Sequence, residues 1–382
     1  MLNLRKGLCN SDIKTRRKLA FGTPLLLLII AGSFYRASLS TSPAYELLNT
    51  VFLIAIALGI ILLAYAIKLD SFIYKNPIAI GCCILVLTCA VYAYFGMKGD
   101  LVARARYHHP QFSLWLAVAF GILTFYRGFK TNLGYMLYCL VLCTVLTFIV
   151  CFLNRREVFV FFPTCIFLLV FRVREELQFC SYVSKRNIHY LLIGWILLLF
   201  CAVIAMHASS LVGKSQLDAL FAPTADPQGA GFFPLSIRNE LSNIQFLGEM
   251  ANVDPDSFII FIMEDPDQTL LYIAAKWGWL ALAAISLLYF SFVAGTIFLQ
   301  KGKYGIARTT TYILVVICTV CYILSLLGSF GVGSLYTFFP FFSGNRFMVS
   351  LLLLSFEAMI SPNEADDHEL ASYTSHRQPK AR

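Results

Sequence analysis

The chain of 382 residues is 59% hydrophobic and only 13% charged, with a mean hydropathy of +0.73. A soluble domain of this size could not cover so much apolar surface, so the composition excludes soluble enzymes and soluble binding modules. The net charge of +9 does not indicate a nucleic-acid partner, because no basic face stands apart from the apolar segments. The sequence therefore predicts an all-α, polytopic membrane protein.

Ten apolar windows follow one another along the chain and predict about ten transmembrane helices. The fourth and sixth are short for a bilayer, which needs about 20 residues per span. A long polar segment, about 209–268, separates helices 7 and 8. The windows are 19–35, 48–67, 77–96, 112–126, 134–153, 157–171, 189–207, 269–299, 309–331 and 346–361.

The distribution of lysine and arginine predicts the orientation. If the N-terminus is cytoplasmic, 20 of the 30 basic residues fall in inside segments, which are 5–18, 68–75, 127–130, 172–186, 301–308 and 377–382. This bias favours cytoplasmic termini and an outer loop at 209–268. We therefore expect a basic cytoplasmic arm at 1–18, a transmembrane domain at 19–361 and a polar, disordered cytoplasmic tail at 362–382. No cleavable signal peptide is evident.

The cysteine and histidine residues do not indicate a metal site or a disulfide framework. Of the twelve cysteines, ten lie in or beside apolar runs, and segment 209–268 contains none. We expect them to be small buried apolar side chains. His108 and His109 are adjacent and would not face one site in a regular element, so no metal site is expected there.

The outer loop contains more apolar residues than a solvated linker needs. Its sequence "LDALFAPTADPQGAGFFPLSIRNELSNIQFLGEM" covers 217–250. The apolar residues could form amphipathic pieces that lie on the membrane or fill a cavity. The Asp226-Pro227 pair with Gly229 and Gly231 favours a tight turn, after which a helix could run from about 235 to 247.

Several motifs of this chain resemble those of the SEDS family (shape, elongation, division and sporulation), the RodA- and FtsW-like proteins. "ADPQGAGF" and Gly248, 17 residues after Gly231, resemble the family's outer-loop motif D-P-x-G-x-G. "HHPQFSLWLAVAF", 108–120, resembles the segment that opens the family's fourth helix. "FFPFFSGNRFMVSLLLL", 338–354, resembles the segment before its last helix. The number of helices, the long loop and the predicted orientation also fit.

The resemblance implies an activity and a catalytic residue. SEDS proteins polymerise lipid II-type polyprenyl-pyrophosphate disaccharides into glycan strands at the outer face of the bacterial inner membrane. Their eighth helix begins with an essential aspartate, which falls on Asp267 when the motif is anchored on Gly278. A carboxylate can take the proton of a sugar hydroxyl as it attacks an anomeric carbon. An acid in a first helical turn also stabilises the helix dipole, so Asp267 alone would indicate no activity.

Other site residues follow from the same resemblance and from charge. Arg104 and Arg106, in the second outer loop, could hold a pyrophosphate or only contact lipid headgroups. Asp226 and Arg238 are further candidates for substrate binding, although both could be structural. Whether a divalent cation assists stays open. Positions of the motifs expected to be structural are Pro110, Pro227, Gly229, Gly231, Gly248, Gly278, Pro340 and Ser343.

The resemblance also implies a protein partner, a class B penicillin-binding protein with a single membrane span. Close packing of small residues would favour a helix–helix contact in lipid. Within helices 8 and 9 the small residues available for it are Ala281, Ala283, Ala284 and Gly295.

Departures from the family pattern leave other functions open. The family's glutamate and lysine after Q-P-S correspond to Phe112 and Trp115, and its paired glutamines in the outer loop correspond to Phe233 and Ser236. A non-catalytic scaffold of the cell-wall machinery is therefore an alternative. A lipid-linked sugar transporter would need a polar path that these helices do not offer. An O-antigen polymerase or ligase would lack "ADPQGAGF" and "DQTLLYIAAKWG" at this spacing.

We predict that a reporter fused after Gln245 will be active outside the cytoplasm and that one fused to the C-terminus will be active inside it. The physical reason is the retention of positively charged segments on the cytoplasmic side. Paired alkaline phosphatase and fluorescent protein fusions measure both locations. Opposite activities would contradict the orientation and, with it, the placement of Asp267 at the outer face.

Overall fold

The computed structural model describes residues 2–97, 111–126, 129, 132–153, 157–178, 185–209, 217–218, 220–229, 231–250, 268–300, 305–332, 339–342 and 345–360. Within these ranges the ordered elements are helices, of which thirteen are α-helices. Their bounds are α1 Leu2–Leu39, α2 Pro43–Ala66, α3 Leu69–Lys75, α4 Pro77–Met97, α5 Gln111–Leu123, α6 Asn132–Leu153, α7 Val158–Gln178, α8 Lys185–Ala208, α9 Phe232–Glu240, α10 Thr269–Trp277, α11 Trp279–Gln300, α12 Gly305–Ser329 and α13 Asn345–Ile360.

Nine of the ten apolar windows each lie on one helix and the window 269–299 covers two, which confirms the all-α, polytopic membrane fold. Five helices in the described part of the chain are long and apolar enough to cross a bilayer, and five shorter apolar helices complete the set. The five long segments are Thr15–Leu39, Pro43–Ala66, Leu133–Phe152, Trp279–Gln300 and Gly305–Ser329. The basic arm predicted at 1–18 continues directly into the first span, because α1 runs unbroken from Leu2. The tail predicted at 362–382 lies outside the described residues.

The helices pack around an apolar interior in which large aromatic side chains are fully buried. Phe21 of α1 lies 5.5 Å from Phe292 of α11, and Tyr289 stacks on Tyr322 of α12 at 4.6 Å between ring centroids. Offset and edge contacts of this kind add to the apolar burial. The described cysteines carry no disulfide, and six of them are buried. These six fill space in the core as expected, whereas Cys82, Cys83 and Cys201 are exposed, so the prediction of burial is wrong for these three.

Helix α1 packs closely against α11 at a small residue. A Cβ on Gly295 would clash with the backbone carbonyl of Ala20. The prediction that Gly295 is available to a partner is therefore wrong, since α1 already occupies that face. Ala283 and Ala284, about three turns before Gly295 in α11, are exposed, and Ala281 is half-buried. Small residues permit close helix contacts in lipid, and here one serves an internal contact.

Two predictions of helix bounds are wrong. The window 269–299 is two helices, because Gly278 between α10 and α11 has φ +88° and ψ 173°. This conformation is essentially restricted to glycine and ends the helix. The helix predicted at 235–247 instead begins at Phe232, ends at Glu240 and continues as one 3-10 turn over Leu241–Asn243. The turn at residues 226–231 precedes it, as predicted.

One end of the bundle carries residues 220–250, and we call it the loop end. It comprises the last turns of α1 and α12 and the first turns of α5, α7, α10, α11 and α13. The opposite end carries arginines packed on aromatic rings. Arg17 lies over Phe298, Arg172 over Phe125 and Arg308 over Phe171, at 5.5, 4.2 and 5.0 Å from the ring centroids.

We predict that Gly278→Ala lowers the stability of the protein by about 1–3 kcal/mol through backbone strain alone. The added Cβ would also lie 2.6 Å from the carbonyl oxygen of Phe246, which increases the loss. Two matched glycines separate these effects. Gly248 has φ +89° and open space around a Cβ, and Gly59 in α2 has open space and ordinary helical backbone. Thermal unfolding in detergent should rank the loss as Gly278→Ala, then Gly248→Ala, then Gly59→Ala. Equal midpoints for the first two would show that the close contact adds nothing.

Candidate functional site

The loop end is organised by backbone pairing between segment 245–250 and the break between α10 and α11. The amides of Trp279 and Leu280 donate to the carbonyls of Gln245 and Phe246, each at 3.1 Å. The amide of Met250 donates to the carbonyl of Ala275 at 2.7 Å. A helix break leaves amide and carbonyl groups without helical partners, and buried groups of this kind need others. Segment 245–250 provides them and so fixes the place where α10 meets α11.

An exposed ion pair lies at the end of this segment. The ammonium of Lys276, in the last turn of α10, contacts the carboxylate of Glu249. The hydrogen bond to Glu249 raises the pKa of Lys276, so the ammonium stays charged at neutral pH. Both side chains are largely exposed, and a pair in that setting contributes little stability. The exposed charges therefore show which side of the junction faces water.

The turn at Asp226 is held by that residue itself. The carboxylate Oδ1 of Asp226 accepts the amide of Gly229 at 3.0 Å, and its carbonyl accepts the amide of Gly231 at 2.9 Å. A Cβ on Gly231 would clash with the carbonyl of Pro223, so only glycine fits there. Pro227 occupies the second position of this turn, where its fixed φ is favourable. The exposed Asp226 therefore has a structural role in the turn, and a role in substrate binding stays a prediction.

Arg238 connects the loop helix α9 to the end of α12. Its Nε donates to the carbonyl of Gly331 at 2.9 Å, and Gly331 has φ +67°. Ile237, the neighbouring residue, is fully buried and anchors the same helix in the core. The guanidinium thus holds α9 against the bundle. A charge-assisted bond to a carbonyl is stronger than a neutral one, which suits a position at the edge of the apolar core.

Arg36, which the sequence analysis did not single out, fixes the turn before the last helix. Its Nη1 donates to the carbonyl of Phe341 at 3.0 Å, and its Nη2 donates to Oγ1 of Thr50 at 2.9 Å. Phe341 has φ +68°, which is rare for an aromatic residue. Gly32, one turn earlier in α1, leaves no room for a Cβ beside the same carbonyl. Helix α1 therefore fixes the position of segment 339–342, which contains the buried Pro340.

The position of Arg36 in the chain did carry a signal. An arginine at the end of the first apolar run opposes the predicted distribution of positive charge, as Arg104 and Arg106 do. An arginine within a membrane helix is expected to have a specific partner. Its partner Phe341 lies 305 residues away in the chain, so local sequence patterns could not identify it.

A buried carboxylate joins α5 to α7 at the loop end, and the sequence analysis missed it too. Glu157 is 5% exposed, and its Oε2 accepts both the amide and the hydroxyl of Ser113 at 2.7 Å. The acid thus binds the first turn of α5, where the helix dipole favours negative charge. The signal was an acid directly before an apolar run, which identifies a helix start but not a partner 44 residues away.

Three of the positions where the family pattern has polar groups are aromatic and packed. Phe112 is 5% exposed, and Phe233 packs against the core. The indole Nε1 of Trp115 donates to Oγ of Ser350 on α13 at 3.2 Å. These side chains connect α5, α9 and α13 to the core. The described part of the loop end therefore offers fewer polar groups to a substrate than the family pattern has.

The candidate catalytic residue lies next to the described chain. Asp267, Arg104, Arg106, Pro110 and Ser343 lie outside the described residues. Gln268 follows Asp267 and is the N-cap residue of α10, with only 3% of its surface exposed. Its Oε1 is buried and accepts no hydrogen bond within the described residues. The next residues of α10, from Thr269 to Leu271, are also buried. The start of α10 is thus embedded in the bundle.

The described residues bring together no group of three histidine, cysteine or acidic side chains that could hold a metal ion.

Comparison with solved structures finds the same architecture in a peptidoglycan synthase complex. A chain of that complex, whose structure concerns the coordination of polymerization and crosslinking, superposes with a TM-score of 0.56 at 13% sequence identity. The match covers 89% of this chain and 96% of the other. The chain has the fold of that synthase component. At this level of identity the likeness establishes the fold, and the resemblance to SEDS proteins predicted that fold correctly. Neither family models nor curated protein sequences match the chain.

We predict that Arg36→Met destabilises the protein more than Thr50→Val. The methionine keeps much of the apolar stem but removes donors to both Phe341 and Thr50, and bonds to charged groups contribute about 1.5–3 kcal/mol each. Thr50→Val removes only the acceptor on α2. Thermal unfolding in detergent measures both losses. If the two variants unfold at the same temperature, the bond to Phe341 contributes nothing to stability.

Proposed function

We propose that this protein polymerises glycan strands from lipid II-type polyprenyl-pyrophosphate disaccharides at the outer face of the bacterial inner membrane. The observation that carries the proposal is the shared fold, over 89% of the chain, with a component of a peptidoglycan synthase complex. The spacing between Asp267 and Gly278 matches the family motif and so suggests which residue acts as the base. The glycan strands would be used in cell-wall synthesis during elongation or division.

The proposed reaction transfers a glycosyl group. A sugar hydroxyl oxygen attacks the anomeric carbon of the second substrate, a C–O bond forms, and the bond from that carbon to the pyrophosphate oxygen breaks. Asp267 accepts the hydroxyl proton, and the polyprenyl pyrophosphate leaves with the bonding electrons. Arg104 and Arg106 are proposed to bind the pyrophosphate, since arginine matches phosphate oxygens with two donors. Asp226 and Arg238 are proposed to support this site by shaping the loop above it.

The position of α10 favours Asp267 for this role. Gln268, the residue after Asp267, is buried, and α10 is embedded in the bundle from its first residues. A helix N-terminus stabilises a carboxylate there. The polyprenyl chain of the donor substrate holds it at the membrane surface, within reach of a base at the start of α10. The pairing of 245–250 with the helix break keeps α10 in place during turnover.

An apolar groove offers space for the lipid part of the substrate. It lies between α6 and α8 on the side of the bundle and has a volume of about 500 Å³. A polyprenyl chain needs an apolar, elongated site that opens to the bilayer, and grooves between helices are common ligand sites. Its lining includes Leu137, Leu140, Val141, Gly194, Trp195 and Leu198.

The proposed location and partner follow from charge and exposed surface. The ring-packed Arg17, Arg172 and Arg308 lie at the end opposite the loop, which supports cytoplasmic termini. Ala283 and Ala284 form an exposed small-residue surface on α11 that suits the single span of a class B penicillin-binding protein. This partner would cross-link the strands that the chain produces.

A non-catalytic scaffold of the same machinery is the second candidate. The specific observation that favours it is the packing of Phe112, Trp115 and Phe233 at positions where the family pattern has polar groups. Such a scaffold would keep the fold and the partner but not the reaction.

We predict that Asp267→Asn reduces polymerisation of purified lipid II by at least about 10²-fold, because a positioned base contributes about 10²- to 10⁴-fold. The asparagine keeps the size and polarity of the side chain but cannot accept the proton. The assay uses the full chain in detergent or vesicles, with and without its transpeptidase partner, and separates products by length on gels.

Asp265→Asn is the matched control, an acid two residues away that the register does not select. It should retain most of the activity, while both variants keep wild-type abundance and thermal stability. Wild-type protein that polymerises nothing with its partner present would favour the scaffold. An active wild type with a fully active Asp267→Asn variant would remove Asp267 from the mechanism.

A further inference from the structure

Two bulky apolar side chains protrude from the loop end. Phe246 is 66% exposed and Leu247 is 61% exposed, although their own backbone is pinned to the helix break. A Cβ on Gly278 would lie 2.9 Å from the Cα of Leu247. The backbone of segment 245–250 therefore packs directly against the helix break. The two side chains therefore point away from a fixed backbone, and their exposure is not that of a loose loop.

These side chains continue the exposed apolar stripe of α11. The carbonyl of Phe246 accepts the amide of Leu280, and Leu280 is the first exposed residue of that helix. Further exposed apolar residues follow at helical spacing along the same span, namely Leu287, Phe290 and Ile297. In a membrane-spanning helix an exposed apolar stripe faces lipid or another span. Phe246 and Leu247 extend this stripe beyond the end of the helix.

Part of the segment's backbone has internal partners. Irregular backbone is excluded from lipid where its amides and carbonyls have no partners. Here the carbonyls of Gln245 and Phe246 accept hydrogen bonds from α11, and the amide of Met250 donates to α10. The amides of Phe246 and Leu247 have no backbone partner among the described residues. This backbone therefore suits the headgroup layer, and only the two side chains suit the apolar layer.

Charged groups mark where water begins. Glu249, two residues after Leu247, pairs with Lys276 and is 68% exposed in its side chain. A charged pair this exposed belongs in water or among headgroups, since charge is costly in hydrocarbon. Trp277 and Trp279 flank the break, and indole rings are typical of the same boundary. The change from apolar to charged side chains thus takes place between Leu247 and Glu249.

We propose that Phe246 and Leu247 insert into the boundary between headgroups and acyl chains and anchor the helix break to the membrane surface. The occupant is lipid rather than a protein helix, because helix contacts in membranes favour small residues, such as Ala283 and Ala284 further along α11. Aromatic and leucine side chains are those that interfacial segments bury in this layer. If the function proposed above holds, the anchor also sets the depth of α10 and of Asp267 relative to the pyrophosphate of the donor.

The test uses a benzophenone amino acid at single positions of the full chain. The protein is reconstituted in vesicles of palmitoyloleoyl phosphatidylethanolamine and phosphatidylglycerol, irradiated and analysed by intact mass. Positions 246 and 247 should form phospholipid adducts at no less than half the yield of position 287, whose leucine is 68% exposed in the span. Position 249 should give at least fivefold less. Adducts at 246 and 247 no more frequent than at 249, or a cross-linked dimer instead of lipid adducts, would overturn the proposal.

A second measurement does not depend on the bulky probe. In the double variant Phe246→Ser with Leu247→Ser, hydrogen exchange of the amides of 275–280 should be at least fivefold faster than in wild type in the same vesicles. Unchanged exchange would contradict the anchor. Neither measurement involves polymerisation, so failure of the anchor and failure of the proposed enzyme are separate results.

Discussion

The loop end depends on the need to satisfy the backbone groups exposed where α10 stops and α11 begins. Gly278 adopts a conformation that ends α10, and the amides and carbonyls around it bind segment 245–250 instead of continuing a helix. In lipid or in a bundle interior such groups cannot be left unpaired. The conformation of Gly278 therefore creates the unpaired backbone groups to which segment 245–250 binds. The rest of the loop follows from this, since α9 and the turn at Asp226 lie within 20 residues before it.

Two arginines and one glutamate complete the loop end by linking elements that are distant in the chain. Arg238 links α9 to the end of α12, and Arg36 links α1 to the turn before α13. Glu157 links α7 to the first turn of α5. Each binds backbone groups that no helix satisfies, at the edge of an apolar core that cannot do so. The charged residues of this protein are few, and these three determine how the ends of six helices are arranged.

Much of the fold could be predicted from the sequence, and the limits have physical causes. Apolar runs of membrane length give a strong local signal, so all ten windows are helical, nine of them as one helix each. The turn at Asp226 was also predictable, because its geometry is set within six residues. The break at Gly278 was not, since isolated glycines also occur inside continuous helices. For the site, motif register selected Asp267 and Gly278, whereas Arg238 was a candidate for its charge. Arg36 and Glu157 were missed because their partners come from other helices.

The close contact between α1 and α11 has a consequence for biosynthesis. These helices pack on each other more extensively than any other pair in the described structure, at Ala20 and Gly295 among other residues. Ribosomes add about 5–20 residues per second, so about 14–55 s separate the synthesis of these two residues. During that interval α1 resides in the membrane without its main neighbour. Insertion factors that shelter a nascent first span would therefore matter more to this protein than to one whose consecutive helices pair as they emerge.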